Sequence, residues 1–416
     1  MKLSNPIRII GAVAVGVFLA GNVSAAPGSA WFGREQTADV VYSMQLPETV
    51  KVALLHSRRP VAIGCTGPYS YRELKKDNSF PVSSKSILKV KAGKHGLAIG
   101  FKNLGSLLLV APDDSEGHLT LNGRPYRGKF ILRARGKVID VIEQISLEDY
   151  LNGVLPREVG ADWPAESLKA QAVISRTFVV ANIGKGNDKA YDVTNNVFSQ
   201  VYGGLQDEKP ASNQAVVDTR GEILTDDKGA ALQTFFHSSC GGHTESPEYV
   251  WREVASAPDY LASVRDTYCK EDPFYNWQYR ISAELMQKRL RRAGYHVGTI
   301  KSVKIAKKSP SGRAWQFAVD SSRGKMQIPG NNFRLALGPE ALRSTLLTDI
   351  RKEGKYIQFE GHGWGHGVGM CQWGARGRAL AGQSYEQILT TYYPKARLVK
   401  PAGSAAGVAP GDSSAR

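Results

Sequence analysis

A chain of 416 residues is longer than one hydrophobic core usually supports, so several domains or one heavily inserted domain are expected. A composition of 42% hydrophobic and 22% charged residues excludes a chain disordered throughout, and 54 Lys and Arg against 38 Asp and Glu leave a net charge of +16 that favours anionic partners. Four cysteines, Cys65, Cys240, Cys269 and Cys371, cannot scaffold a chain this long, so they are local staples, ligands or unpaired thiols.

The chain starts with Lys2 and Arg8, an apolar run Ile9 to Ala20, and small residues at Val23 and Ala25, the order of a secretory signal peptide cleaved near Ala25. The run is too short to span a bilayer, which takes about 20 apolar residues, and no later segment is long and apolar enough. The expected product is therefore an exported protein of the periplasm or cell envelope without a transmembrane segment. Export makes an anionic cell-envelope polymer a better partner for the positive charge than nucleic acid.

Residues 40–140 carry short apolar runs, Val52 to Leu55, Ile87 to Val90, Leu107 to Val110 and Phe130 to Leu132, separated by turn residues such as Asn122-Gly123-Arg124. This predicts a β-rich first domain. From Ser146 the apolar positions Leu147, Tyr150, Leu151 and Val154 recur at three- and four-residue steps, predicting a short amphipathic helix followed by a loop over Leu155 to Gly160. Pro164 then opens a second helix to about Ala181, apolar or small around almost its whole circumference and hence buried and central. A basic piece, Gln287 to Arg292, and strand-like runs at Ser302 to Ile305 and Trp315 to Val319 predict an inserted α/β subdomain over 281–347. The predicted organisation is α+β: the first domain, a mixed domain over 141–280, the insert, a closing segment over 348–399, and a disordered Ala/Gly/Ser/Pro tail over 400–416.

Three regions concentrate polar, glycine and aromatic residues beyond what packing requires. Glu158 lies among Leu155, Pro156, Val159 and Trp163, which would raise its carboxyl pKa, while the start of the following helix would lower it. Gln200-Val201-Tyr202-Gly203-Gly204 and Phe236 to Glu245 form the second region. There His237, Cys240 and His243 are spaced closely enough to share a metal with Cys269, although a Cys240–Cys269 disulfide is an equal alternative. The third is the block Gly361 to Ala375, whose alternating glycines with His366, Gln372 and Trp373 suit a backbone-lined groove rather than a strand or helix core. No Walker lysine or nucleophile-elbow sequence accompanies these regions. Arg176, on the buried second helix, reads first as a structural ion pair and second as a substrate contact.

Together these segments resemble the SpoIID/LytB family of stage II sporulation protein D and the amidase enhancers. The resemblance is carried by Ser146 to Glu158, Leu168 to Val173, Arg176-Thr177-Phe178, Gln200 to Gly204, His237-Ser238, Gly241 to Glu245, the Gly-His-Gly-Trp-Gly-His-Gly block and Tyr385 to Pro394. It implies a lytic transglycosylase that cleaves peptidoglycan glycan strands, including strands stripped of stem peptides, to anhydro-muramic ends. Glu158 falls where the family has its catalytic acid. The substrate-binding candidates are Arg176, Gln200, Tyr202, His366, Gln372 and Trp373. The resemblance requires no cofactor; zinc near the His-Ser and Gly-Gly motifs in some relatives makes a structural zinc an option here. The enhancer branch supplies the alternative of a non-catalytic wall-binding protein that activates an amidase. A hydrolytic muramidase would need a second carboxylate, for which Asp162, Glu166 and Glu245 are the candidates.

Overall fold

The computed structural model describes residues 46–400 except 75, 77, 186, 187, 189, 197 and 198. The expected signal peptide and the tail beyond residue 400 lie outside the described residues.

Alternation of buried and open side chains through the first part of Thr49–Ser57, Leu107–Pro112 and Lys129–Arg135 makes each a strand with one face on a core. They join a seven-stranded sheet in which Thr49–Ser57 and Lys129–Arg135 flank the strand Val138–Ser146 in antiparallel register. A second sheet of six strands packs on the first through a shared core that includes Val52, Ile63, Val90, Leu108 and Phe130. In that sheet, Leu119–Leu121 and Arg124–Tyr126 are joined by a two-residue turn. Asn122 and Gly123 both have positive φ, 51° and 85°, as this tight hairpin demands. The β-rich start and the overall α+β class agree with the sequence reading.

The chain leaves the strand Val138–Ser146 directly into α1 (Leu147–Glu158). Ser146 caps it, its hydroxyl accepting from Asp149 N–H at 3.1 Å. The helix runs through Pro156 to Glu158, so the expected loop over Leu155 to Gly160 is instead the last helical turn and its cap. Proline denies its helix one backbone donor. That loss is tolerated because Val154 and Leu155 are fully buried, and burial outweighs one missing bond at a helix end. α2 (Ala165–Asn182) begins after Pro164 and is the expected buried helix: Ala170, Ala172, Val173, Ile174 and Val179 are wholly inaccessible. It serves two cores, Ala172 and Val179 facing the β-sheets and Ala170, Val173 and Ile174 facing the second half of the chain.

α3 (Pro210–Asp218) packs on α1 and α2. α4 (Ala283–Arg292) and α5 (Gly330–Leu337) belong to the insert, whose own core runs from Trp277 to Phe359 and therefore includes strands on either side of 281–347. α6 (Gln372–Leu380) and α7 (Tyr385–Tyr392) return to pack on α2. The link between Phe236–His237 and Met370–Cys371 is parallel, with His237 opposite Cys371. It brings the His-Ser motif beside the end of the glycine block. No helix of the described residues is long and apolar enough to cross a membrane.

Candidate active site and thiol cluster

Glu158 ends α1 with its side chain wholly inside the protein, at 0% exposure. Val201 N–H donates to Oε1 at 2.9 Å, while Oε2 has no partner among the described residues. Burial pushes its carboxyl up to about 8, against the smaller opposing pulls of the Val201 bond and Arg157. The sequence left burial and a helix start in opposition. The structure makes Glu158 the last residue of its own helix, whose negative end favours the protonated acid, so that dipole acts in the same direction as burial.

Side-chain amides from three distant segments build the frame around this acid. Gln372 Nε2 donates to the Glu158 carbonyl at 3.2 Å and to Gln171 Oε1 at 3.3 Å. Gln171 Nε2 donates to Ser175 Oγ. Gln200 Nε2 donates to the Ser175 carbonyl and Gln200 Oε1 accepts from Tyr150 OH. Gln372 Oε1, like Glu158 Oε2, is a buried acceptor without a protein partner among the described residues. A buried acceptor left unpaired is costly, so one on the acid and one on the amide bonded to its backbone suit a place where an incoming group supplies donors.

The other substrate-binding candidates are distributed as follows. Arg176 is fully buried and pairs bidentately with Glu148, at 2.9 and 2.7 Å, while also donating to the Glu222 and Val216 carbonyls. Four of its five N–H donors are spent within the fold, the arrangement of the structural ion pair that the sequence put first. Lys169, on the same helix, pairs with Glu166 and Asp218. Tyr202 stacks on Tyr150 with ring centroids 5.0 Å apart and lies against Gly153 so closely that a Cβ there would meet its ring at 2.5 Å. Gln200 and Tyr202 therefore shape the wall behind the acid. His366 faces His237 and Trp251, at 5.7 and 5.3 Å between ring centres, and its Nδ1 accepts from Val368 N–H. Trp373 stays partly open, tilted against Trp163 at 5.1 Å with the Arg376 guanidinium over its ring. A separate recess of about 610 Å³, unforeseen from the sequence, lies between the insert and the rest of the chain and is lined by Tyr249, Arg252, Trp315 and Gln316.

The metal set drawn from sequence spacing is not the one the fold assembles. Cys240 and Cys269 do meet, but with Cys371 and Asp266, and not with His237 or His243. His237 turns Nδ1 to the Val368 carbonyl, and His243 turns Nδ1 to Ser263 Oγ and the Thr244 carbonyl. Burial, reinforced by His366 and Arg313, holds His237 well below the usual histidine range, so its ring is neutral. The alternative disulfide is also not formed: the Cys240 and Cys269 sulfurs stand 3.4 Å apart and all four cysteines are free thiols. Asp266 was missed because no motif surrounds it. Its proximity depends on a pairing of Asp266 N–H with the Gly242 carbonyl that local sequence does not encode.

The insert is fastened to this region. Arg313 donates to the Cys240 carbonyl at 2.5 Å, and Ser309 and Ser311 both donate to Glu245 Oε2. Glu166 is likewise committed, to Lys169 and to Tyr385 N–H.

The sequence profile of the stage II sporulation protein family, SpoIID, matches residues 135–225, which hold α1, α2, Glu158 and Gln200 to Gly204. Stage II sporulation protein D of Bacillus amyloliquefaciens is 33% identical over 61% of this chain and 74% of its own length. The chain belongs to the SpoIID family. Another relative, the amidase enhancer of Bacillus subtilis (strain 168), is 30% identical over 74% of this chain, which spans about half (49%) of that protein. An uncharacterised protein of Brachyspira hyodysenteriae (strain ATCC 49526 / WA1) is 32% identical over 85% of this chain and 93% of its own length. A profile of a domain of unknown function matches residues 212–369, which contain the insert.

Proposed function

We propose that this SpoIID-family protein acts in the cell envelope as a lytic transglycosylase on peptidoglycan glycan strands, with Glu158 as its one acid and base. The observation that carries the reading is a fully buried carboxyl held up to about 8 with one oxygen unpartnered among the described residues. Such a group carries its proton at neutral pH and can donate it to a glycosidic leaving oxygen. As the bond from C1 breaks, charge develops on the sugar ring. The carboxylate left behind then takes the proton of the muramic C6 hydroxyl as that oxygen closes on C1. The proton returns to Glu158, a 1,6-anhydro ring forms, and no water is consumed.

A hydrolase would need a second carboxylate across the bond. Two of the three candidates are engaged elsewhere, Glu166 with Lys169 and Tyr385, Glu245 with Ser309 and Ser311. The partly open Trp163–Trp373 pair offers an aromatic face for a sugar ring, and the net charge of +16 suits a wall polymer that carries lactyl carboxylates. Reaching Glu158 requires the packing over the carboxyl to part. The same complete burial favours a second reading, a non-catalytic wall-binding enhancer of an amidase, a role that the name of the Bacillus subtilis relative carries.

Incubating the mature protein and Glu158→Gln with purified glycan strands, then weighing the products, separates these readings. Anhydro-muramic ends are expected from the wild type, with the variant slower by about 10²–10⁴-fold, the usual worth of a general acid. Reducing ends would mean hydrolysis. No product from either protein, together with stimulation of an added amidase, would establish the enhancer reading instead.

A further inference from the structure

We propose that Cys240, Cys269, Cys371 and Asp266 form a structural zinc centre that staples three distant segments of the chain beside the Glu158 frame. The donor atoms of these four buried residues lie within 4.8 Å of one another. Cys240 Sγ is 3.4 Å from Cys269 Sγ and 3.5 Å from Asp266 Oδ2. A tetrahedral zinc with bonds of about 2.3 Å to sulfur and about 2.0 Å to oxygen holds its ligand atoms roughly 3.5–3.8 Å apart, so the four donors already surround a volume of the right size. Three thiols and one carboxylate, without an open water position, are the donor chemistry of a closed structural zinc site.

Backbone N–H groups aim at two of the sulfurs, as they do at liganded thiolates. Cys371 Sγ accepts from Cys240 N–H and from Gly374 N–H, each at 3.2 Å, and Cys240 Sγ accepts from Gly242 N–H at 3.3 Å. Cys371 is also the N-cap of α6, whose positive end favours a negative sulfur. Asp266 is held in place by Tyr392 OH on Oδ2 at 2.6 Å and by Arg378 and Tyr268 N–H on Oδ1. Fixed outer partners of this kind orient ligands and offset their charge. Four buried potential anions have two guanidiniums nearby, Arg378 on Asp266 Oδ1 and Arg313 on the Cys240 carbonyl, which leaves room for a further cation among the sulfurs.

The centre has a consequence for the neighbouring site. Cys371 is followed by Gln372, which reaches the Glu158 carbonyl, and by Trp373, whose N–H donates to the Ser238 carbonyl. Fixing Cys371 fixes the start of α6, and with it the Gln372 amide that holds the Glu158 carbonyl. The zinc assignment does not depend on whether Glu158 turns over glycan.

The test is metal content and cobalt spectroscopy on the full mature chain, purified without added metal or chelator. One zinc per chain is expected, released as a mercurial titrates the three centre thiols, which Cys65→Ser separates from the fourth thiol of the chain. Cobalt exchanged into the protein should show thiolate-to-metal charge transfer and the intense visible bands of a tetrahedral site. Cys269→Ser and Cys371→Ser should lose most of the zinc, whereas His237→Ala and His243→Ala should keep it. If a cysteine variant fails to fold, the wild-type cobalt spectrum and thiol count still decide. A metal-free wild type that takes up no cobalt after reduction, a Cys240–Cys269 disulfide in the unreduced chain, or zinc lost in the histidine variants but kept in the cysteine variants would each overturn the proposal.

Discussion

α1 carries a glutamate at each end, and the two are treated in opposite ways. Glu148, in the first turn, meets the Arg176 guanidinium through two short bonds and also accepts from Gly221 N–H. Glu158, in the last turn, has Val201 N–H on one oxygen, none on the other and no cation bonded to it among the described residues. The helix dipole sharpens the contrast, since its positive end suits Glu148 as an ion and its negative end suits Glu158 as a neutral acid. A carboxylate with both oxygens answered locks two helices together. One left half-answered at 0% exposure holds a proton ready and costs the fold something to keep.

Breaking the paired end should give the largest effect. Arg176→Met removes a buried cation and strands Glu148, so denaturant midpoints should show a loss of about 3–5 kcal/mol. Adding Glu148→Gln to that variant should recover part of it, because the stranded charge goes too. Altering the unpaired end should do the reverse. Glu158 has its folded-state pKa raised from an ordinary 4.5 to about 8, so the native state binds its proton more tightly than the unfolded chain between those values. Its contribution is full below about pH 4.5 and is lost as pH rises toward 8. Glu158→Gln removes that loss. Its melting temperature should match the wild type near pH 4.5 and exceed it progressively up to pH 8, by several degrees. A difference that does not grow with pH would contradict the raised pKa.

The same contrast shows what could be read from the sequence. The Glu148–Arg176 lock was half legible: an arginine in an otherwise apolar helix must meet a carboxylate, although which one depended on how α1 and α2 cross. Glu158 was legible as a residue and misplaced as a structure, because Pro156 signalled a loop while the buried Val154 and Leu155 kept the chain helical. The strands over the first domain followed from their short apolar runs between turn residues, and the turn at Asn122-Gly123 from its two residue types. The Gln372 amide 214 positions from Glu158 was invisible, as was Asp266 beside Cys240. Both arise where strands and loops of the second half close on α2, a long-range arrangement with no local periodicity to announce it. For the same reason the histidines at 237 and 243 looked like ligands by spacing, whereas backbone carbonyls claim their Nδ1 atoms.

The most direct test of a single acid and base without water is to digest purified glycan strands in ¹⁸O-labelled water and weigh the new muramic ends. Transglycosylation by Glu158 predicts anhydro ends carrying no label, formed by the wild type and not by Glu158→Gln. Labelled reducing ends would contradict the account and require a second carboxylate to have activated water.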